Sequence, residues 1–220
     1  MIFTICICFG LLLILGTPIA IILGVSTTVS LIFFSDTSLH IITQQLFNAL
    51  DKFVLLAIPF FILSSHFLTT GGVSQRLIEF AKAMVGWMNG GLAIASVVAC
   101  LLFAAISGSS PATVVAIASL MIPGMIQAGY SKEFSVGVIA TSGSLGILIP
   151  PSIPMIVYAD AVEESVGKMF IAGILPGLLM GSFLVIATWL AARKMGMPRE
   201  PFKGFGHLFN TFKDAFWGFI

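Results

Sequence analysis

Two uncharged segments hold most of the chemistry that this 220-residue sequence can offer. The first is Ser107-Gly108-Ser109-Ser110-Pro111-Ala112-Thr113, with four hydroxyls in seven residues. The second is Gly143-Ser144-Leu145-Gly146-Ile147-Leu148-Ile149-Pro150-Pro151-Ser152, where adjacent prolines remove two backbone donors and leave upstream carbonyls without helical partners. Both interrupt long apolar runs. A backbone that leaves the helix inside hydrocarbon exposes N–H and C=O groups, each costing several kcal/mol unless protein, water or an ion satisfies it. Freed carbonyls and hydroxyls suit a hard cation, and the amino terminus of a half-helix suits a carboxylate. A pair of such interruptions points to a transporter binding site. The plainer readings are a polar turn between two spans for the first segment and a packing kink for the second. A surface turn ordinarily carries charge, and the first segment has none.

The elements that position these segments belong in a bilayer. Hydrophobic residues make up 58% of the chain and charged residues 9%, against about 25% charged in soluble domains. Mean hydropathy is +1.11. A net charge of +1 provides no basic face for nucleic acid. Cys6, Cys8 and Cys100 all lie in apolar runs and read as small buried hydrophobes, without disulfide or metal spacing. The amino terminus lacks a basic n-region and a lipidation motif, and its apolar run is longer than a signal sequence, so it reads as a retained span.

The expected fold class is an all-α membrane protein of polytopic helices, with a re-entrant helical hairpin and a discontinuous helix. The run Ile2–Phe34 reads as one tilted helix bent at Thr17-Pro18, since two full passes need about 40 residues. Residues 1–72 then form scaffold helices: this run, an interfacial stretch Leu39–Leu50, and a span Phe53–Leu68 kinked at Pro59 and ended by Gly71-Gly72. Residues 73–89 form an amphipathic arm. Leu77, Ile78, Ala81, Met84 and Val85 recur at helical spacing, with Arg76, Glu79 and Lys82 opposite, which predicts a helix along the membrane surface. Residues 90–168 form a transport domain. It holds the hairpin (91–128), whose arms Gly91–Ile106 and Val114–Gln127 are short for complete spans, and the broken helix (132–166). A membrane helix follows at 169–195, and 196–220 reads as a linker with the start of another apolar pattern.

Charge placement favours a hairpin that enters and leaves on one side. Arg76, Lys82, Lys132, Arg193, Lys194, Arg199, Lys203 and Lys213 then share one face. Lys52 and Lys168 lie opposite with Asp36, Asp51, Asp160, Glu163 and Glu164. The positive-inside rule makes the basic face cytoplasmic, with the first helix starting there. Trp87, Trp189 and Trp217 fall near that interface. His66 sits near a helix end as an interfacial residue or a proton-relay candidate. His40 and His207 read as surface residues. Asp160, Glu163 and Glu164 read as a solvated helix end or a docking patch.

Ser107–Thr113 is followed by the Ala-rich Val114–Ser119 and by Met121-Ile122-Pro123. Together with Gly143–Ser152, Pro59-Phe60-Phe61-Ile62-Leu63 and Gly90-Gly91-Leu92-Ala93, this pattern resembles the large permease subunit of tripartite ATP-independent periplasmic (TRAP) transporters, the DctM-like family. The resemblance runs through essentially the whole chain and covers the amino-terminal half of that subunit. It implies one of two inverted repeats of an elevator-type ion transporter fold. It also implies sodium-driven import of an organic acid, such as a dicarboxylate or sialic acid, delivered by a periplasmic binding protein. A small membrane subunit would be a partner, and the setting would be the bacterial inner membrane. The resemblance implies sodium as the coupling ion, and no other cofactor is expected. On this chain the resemblance implies sodium ligands from carbonyl or hydroxyl oxygens of Ser107, Ser110, Gly146, Ile149 and Pro151. Ser109, Thr113, Gly143 and Ser144 would face the substrate. The carboxylate would meet hydroxyls and N–H groups, because no Arg or Lys lies at membrane depth.

The family's subunit is roughly twice this length, so the chain is expected to be a fragment or a truncated product. The competing readings are another secondary carrier or channel, an inactive truncated subunit, and a remote intramembrane serine hydrolase. The last would need a base beside Ser107 or Ser109, and His66 is expected nearer the interface than those serines. No enzymatic activity is therefore expected.

Overall fold

The computed structural model describes residues 1–35, 40–197, 199, 201 and 204–216. Asp36, Leu39, Lys203 and Trp217, used above in placing the membrane faces, lie outside these. The described residues form α-helices and short 3-10 turns, with no strand among them. They fall into two compact units, Met1–Phe53 and Val54–Ile220.

In the first unit the opening apolar run is two helices, α1 (Ile2–Ile14) and α2 (Ile19–Phe34). They fold back on one another, since the Ser30 hydroxyl near the end of α2 donates to the Met1 carbonyl at 3.2 Å. The expected single bent helix is therefore corrected to a hairpin. Gly16 adopts a left-handed φ of +71° and Pro18 is extended, which reverses the chain within a few uncharged residues. Thr17 donates its hydroxyl to the Leu12 carbonyl at 2.8 Å and closes the end of α1. Ile22, Ser26 and Ser30 form the buried stripe of α2, at a spacing of four. The outer ends of both arms lie together, so a run that starts on the cytoplasmic face and crosses once no longer holds. Helix α3 (His40–Leu50) closes the unit.

The second unit holds the rest. The 3-10 turn Phe53–Leu56 leads into α4 (Ala57–Thr70). Pro59 lies in the first turn of α4, where a missing N–H is tolerated, so it starts the helix rather than kinking it. Gly72, at φ +77°, separates α4 from α5 (Val73–Val85). Leu77, Ile78 and Ala81 of α5 are buried in the core together with Ala93 and Cys100 of α6 (Gly91–Ser107). The apolar stripe expected to lie on lipid is thus spent on protein packing. The outer side of α5 meets α11 (Phe205–Phe216) through Phe80 and Phe212, whose ring centroids are 5.5 Å apart.

Helix α6 and α7 (Ser110–Gln127) form a helical hairpin, with the Ser96 hydroxyl 3.4 Å from the Met125 sulfur near its open end. The arms have 17 and 18 residues, longer than the sequence pattern indicates because the helices run into the Ser/Gly segment from both sides. Next come α8 (Lys132–Gly143), a 3-10 turn Ser144–Ile147, the irregular residues 148–152 and α9 (Ile153–Ala161). The discontinuous helix is therefore present as expected. Helix α10 (Val166–Lys194) runs through Pro176 without ending. Gly173, Gly177 and Gly181 line its buried side at a spacing of four, which lets Leu148, Ile149 and Leu101 approach closely. On the other side Ile171, Leu175, Leu178 and Phe183 are exposed. Phe53–Thr70, Ser110–Gln127 and Val166–Lys194 are each long and apolar enough to cross a bilayer. So much exposed apolar surface needs lipid or protein to cover it, and the chain is a membrane protein.

Near the basic end of α10, Arg193 stacks 5.5 Å from the Trp189 ring centroid. Lys168 pairs with Glu164 at 3.6 Å between exposed side chains, a contact worth little in water.

Candidate functional site

The two interrupted segments lie directly against one another. At the hairpin tip, Gly108 ends α6 with φ +61°, and Ser109 takes an extended conformation as the N-cap of α7. The Ser107 hydroxyl lies 2.8 Å from the Thr113 hydroxyl, and Thr113 also donates to the Ser109 carbonyl at 2.9 Å. Ser107 and Thr113 are fully buried. They hold the shape of the tip, so the expectation that Thr113 faces a substrate meets a side chain already bonded within the protein.

The second segment closes on this tip. The Ile153 amide donates to the Gly108 carbonyl at 3.0 Å. A Cβ on Gly108 would sit 2.8 Å from the Pro151 carbonyl oxygen, so only glycine fits at this crossing. A Cβ on Gly146 would lie 2.9 Å from the Ser110 nitrogen. The fully buried Ser152 donates to the Ile147 carbonyl at 2.7 Å and fixes the bend. The Pro150-Pro151 bond is cis.

Of the expected sodium ligands, Ser107, Ser110, Gly146 and Pro151 belong to this junction. Ile149 has its side chain packed towards Gly177 of α10. Among the described residues, no hydrogen bond reaches the carbonyls of Gly146, Leu148, Ile149, Pro150 or Pro151. Free carbonyls concentrated in one bend are oxygen donors of the kind a hard cation takes. No cluster of His, Cys, Asp and Glu that could hold a metal ion occurs among the described residues.

The expected substrate residues do not share one surface. Ser109 opens on a cavity of about 360 Å³, which Ser107 and Ser119 also line. Its opposite wall is α4, through Ser65, His66 and Thr69. Gly143 is buried against Val114, and the exposed Ser144 donates its hydroxyl to the Thr141 carbonyl. Neither lines the cavity. Sequence reasoning placed His66 near the interface and missed its position across from the tip. The spacing of Ser65 and Thr69, one helical turn apart and flanking His66, was the available signal. The Gly173, Gly177 and Gly181 stripe that seats the broken helix on α10 was equally readable and equally missed. No hydrogen bond joins His66 to Ser107 or Ser109 among the described residues, so no nucleophile–base pair is formed.

Comparison with known proteins gives this junction its family. The family model for the tripartite ATP-independent periplasmic transporter, DctM component, matches residues 6–220. The C4-dicarboxylate TRAP transporter large permease protein DctM of Vibrio cholerae serotype O1 is 57% identical over 210 residues, covering 95% of this chain and 46% of that protein. The protein of the same description from Pseudomonas aeruginosa is 50% identical, over 90% of this chain and 46% of its own length. The sialic acid TRAP transporter permease protein SiaT of Haemophilus influenzae is 37% identical, over 96% of this chain and 34% of its own length. The chain thus spans about half the length of the DctM permeases it matches. All three relatives are named as transport permeases rather than enzymes. With two interrupted segments joined inside a membrane fold, and a family match along nearly its whole length, the chain belongs to the DctM component family of tripartite ATP-independent periplasmic transporters.

Proposed function

We propose that this chain forms the first repeat of a large permease subunit that couples sodium entry to import of an organic acid, most closely a C4-dicarboxylate. The supporting observation is the junction itself. Two interrupted segments meet through the bond from Ile153 to Gly108, beside five carbonyls that no donor reaches among the described residues. Sodium is assigned to the oxygens of this bend, with Ser107, Ser110, Gly146, Ile149 and Pro151 as candidate ligands. The substrate is assigned to the Ser109 side, with Thr113 supporting the tip from behind. Gly143 and Ser144 contribute by shaping the broken helix. The C4-dicarboxylate assignment rests on the names of the DctM relatives.

A re-entrant hairpin in a bacterial inner membrane would place eight of the ten Lys and Arg residues on one face, as the positive-inside rule favours. In this reading α6 to α9 move as the transport domain of an elevator-type fold, completed by a second inverted repeat. A small membrane subunit and a periplasmic binding protein complete the transporter. Reconstitution in proteoliposomes tests the proposal. Uptake of labelled succinate should be absent with this chain alone. It should appear when a second-half polypeptide, the small subunit and the binding protein are added, and it should require an inward sodium gradient. Uptake that ran equally well in potassium would refute sodium coupling.

A further inference from the structure

We infer that the cavity between α4 and the hairpin tip is a carboxylate-binding subsite, in which His66 is the specificity-determining hydrogen-bond donor. The inference rests on the organic-acid reading above and adds α4 to its binding machinery. The cavity measures about 360 Å³, within the range of small-molecule sites. Of the hydroxyls that line it, those of Thr69, Ser107 and Ser119 are bonded within the protein, and those of Ser65 and Ser109 are open. Ser65 is 94% buried, yet its hydroxyl makes no hydrogen bond among the described residues. The Ser109 hydroxyl, across the cavity, is also unbonded and does not cap α7. Both hydroxyls stand at the cavity wall without a protein partner among the described residues, and one ligand oxygen could accept from each.

The 18-residue helix α7 begins at this cavity, and Ala112 of its first turn lines it. The amide of Ala112 donates to no protein acceptor among the described residues. A helix start with an open amide favours an anion. Among the described residues, His66 supplies the one ring N–H in the lining, and no Asp or Glu lines the cavity. An imidazole donates at least one hydrogen bond whatever its protonation state. The chemistry therefore divides across the tip. Carbonyl oxygens that suit a cation lie on the side of the broken helix. The open hydroxyls of Ser65 and Ser109, the Ala112 amide and the imidazole, which suit a carboxylate, lie on the side of α4.

The test uses the complete transporter in proteoliposomes, with succinate as probe. His66→Ala should raise KM for succinate about tenfold, the scale of one hydrogen bond to a charged group, while the sodium concentration giving half-maximal uptake stays unchanged. His66→Gln, which keeps a donor, should recover most of that loss. A KM for His66→Ala equal to that of the unmodified protein would overturn the inference while leaving the sodium-coupled reading intact. Absence of sodium-driven succinate uptake in the unmodified complex would overturn both. If His66→Ala fails to accumulate in the membrane, His66→Cys decides by labelling, in a chain whose Cys6, Cys8 and Cys100 have been replaced. Saturating succinate with sodium should slow its reaction with a polar thiol reagent, and an unchanged rate would overturn the subsite.

Discussion

Gly146 packs its Cα against the backbone of Ser110, so closely that an added methyl carbon would lie 2.9 Å from the Ser110 nitrogen and 3.0 Å from its Cα. Both are backbone atoms at the start of α7, and neither can rotate away. Gly146→Ala must therefore part the broken helix from the hairpin tip. Overpacking of this kind costs about 1–3 kcal/mol. The complete transporter carrying Gly146→Ala is expected to insert normally and to require more sodium for half-maximal uptake. Titration of uptake against sodium measures this, and an unshifted curve would separate the contact from the ion site.

Ser110 tests the same junction from the other side. It is half-buried at the first position of α7, and its backbone meets Gly146. Ser110→Leu replaces a candidate oxygen ligand with a branched side chain beside the bend. The expected outcome is loss of sodium-driven uptake with unchanged membrane insertion, followed by protease protection of the membrane-embedded product. Uptake with normal sodium dependence would remove Ser110 from the ligand set.

Much of this junction was legible in the residues because Gly, Pro and uncharged hydroxyls are rare together at membrane depth. Ser107–Thr113 and Gly143–Ser152 both fall where the helices break, and Pro150-Pro151 lies in the irregular stretch between the 3-10 turn and α9. What stayed hidden depended on partners. The amphipathic pattern of α5 fits a lipid surface as well as a neighbouring helix, and only the packing of Leu77 and Ile78 on α6 separates the two. The reversal at Gly16-Thr17-Pro18 carries no charge, so the composition of Ile2–Phe34 cannot distinguish a bend from a hairpin. His66 shows no motif of its own. Its place opposite Ser109 follows from how α4 lies beside α6 and α7.

Leu77 gives that packing an energetic check. It is fully buried in the core formed with Ala93, Cys100 and Phe103 of α6. Leu77→Ala removes buried methyl groups and leaves a cavity, at a cost of about 2–5 kcal/mol. If α5 instead lay with its apolar face in lipid, the same change would leave no cavity in protein. The expected result is a clear fall in the unfolding temperature of the detergent-solubilised complex. Glu79→Ala, on the exposed face, should leave it nearly unchanged. Equal behaviour of the two variants would return α5 to the membrane surface.

The last prediction concerns water. Ser109 lines an open cavity, whereas Phe183 projects from the exposed apolar side of α10. In a chain whose Cys6, Cys8 and Cys100 have been replaced, Ser109→Cys should react with a small polar thiol reagent added to membranes, and Phe183→Cys should not. The reactive species is the thiolate, which forms where water reaches the sulfur and is suppressed in hydrocarbon. Mass spectrometry of the labelled chain reads both sites in one experiment. Equal labelling would mean that the hairpin tip and the outer side of α10 share one environment. The tip would then not border a separate aqueous cavity, and the carboxylate subsite would lose its route of access.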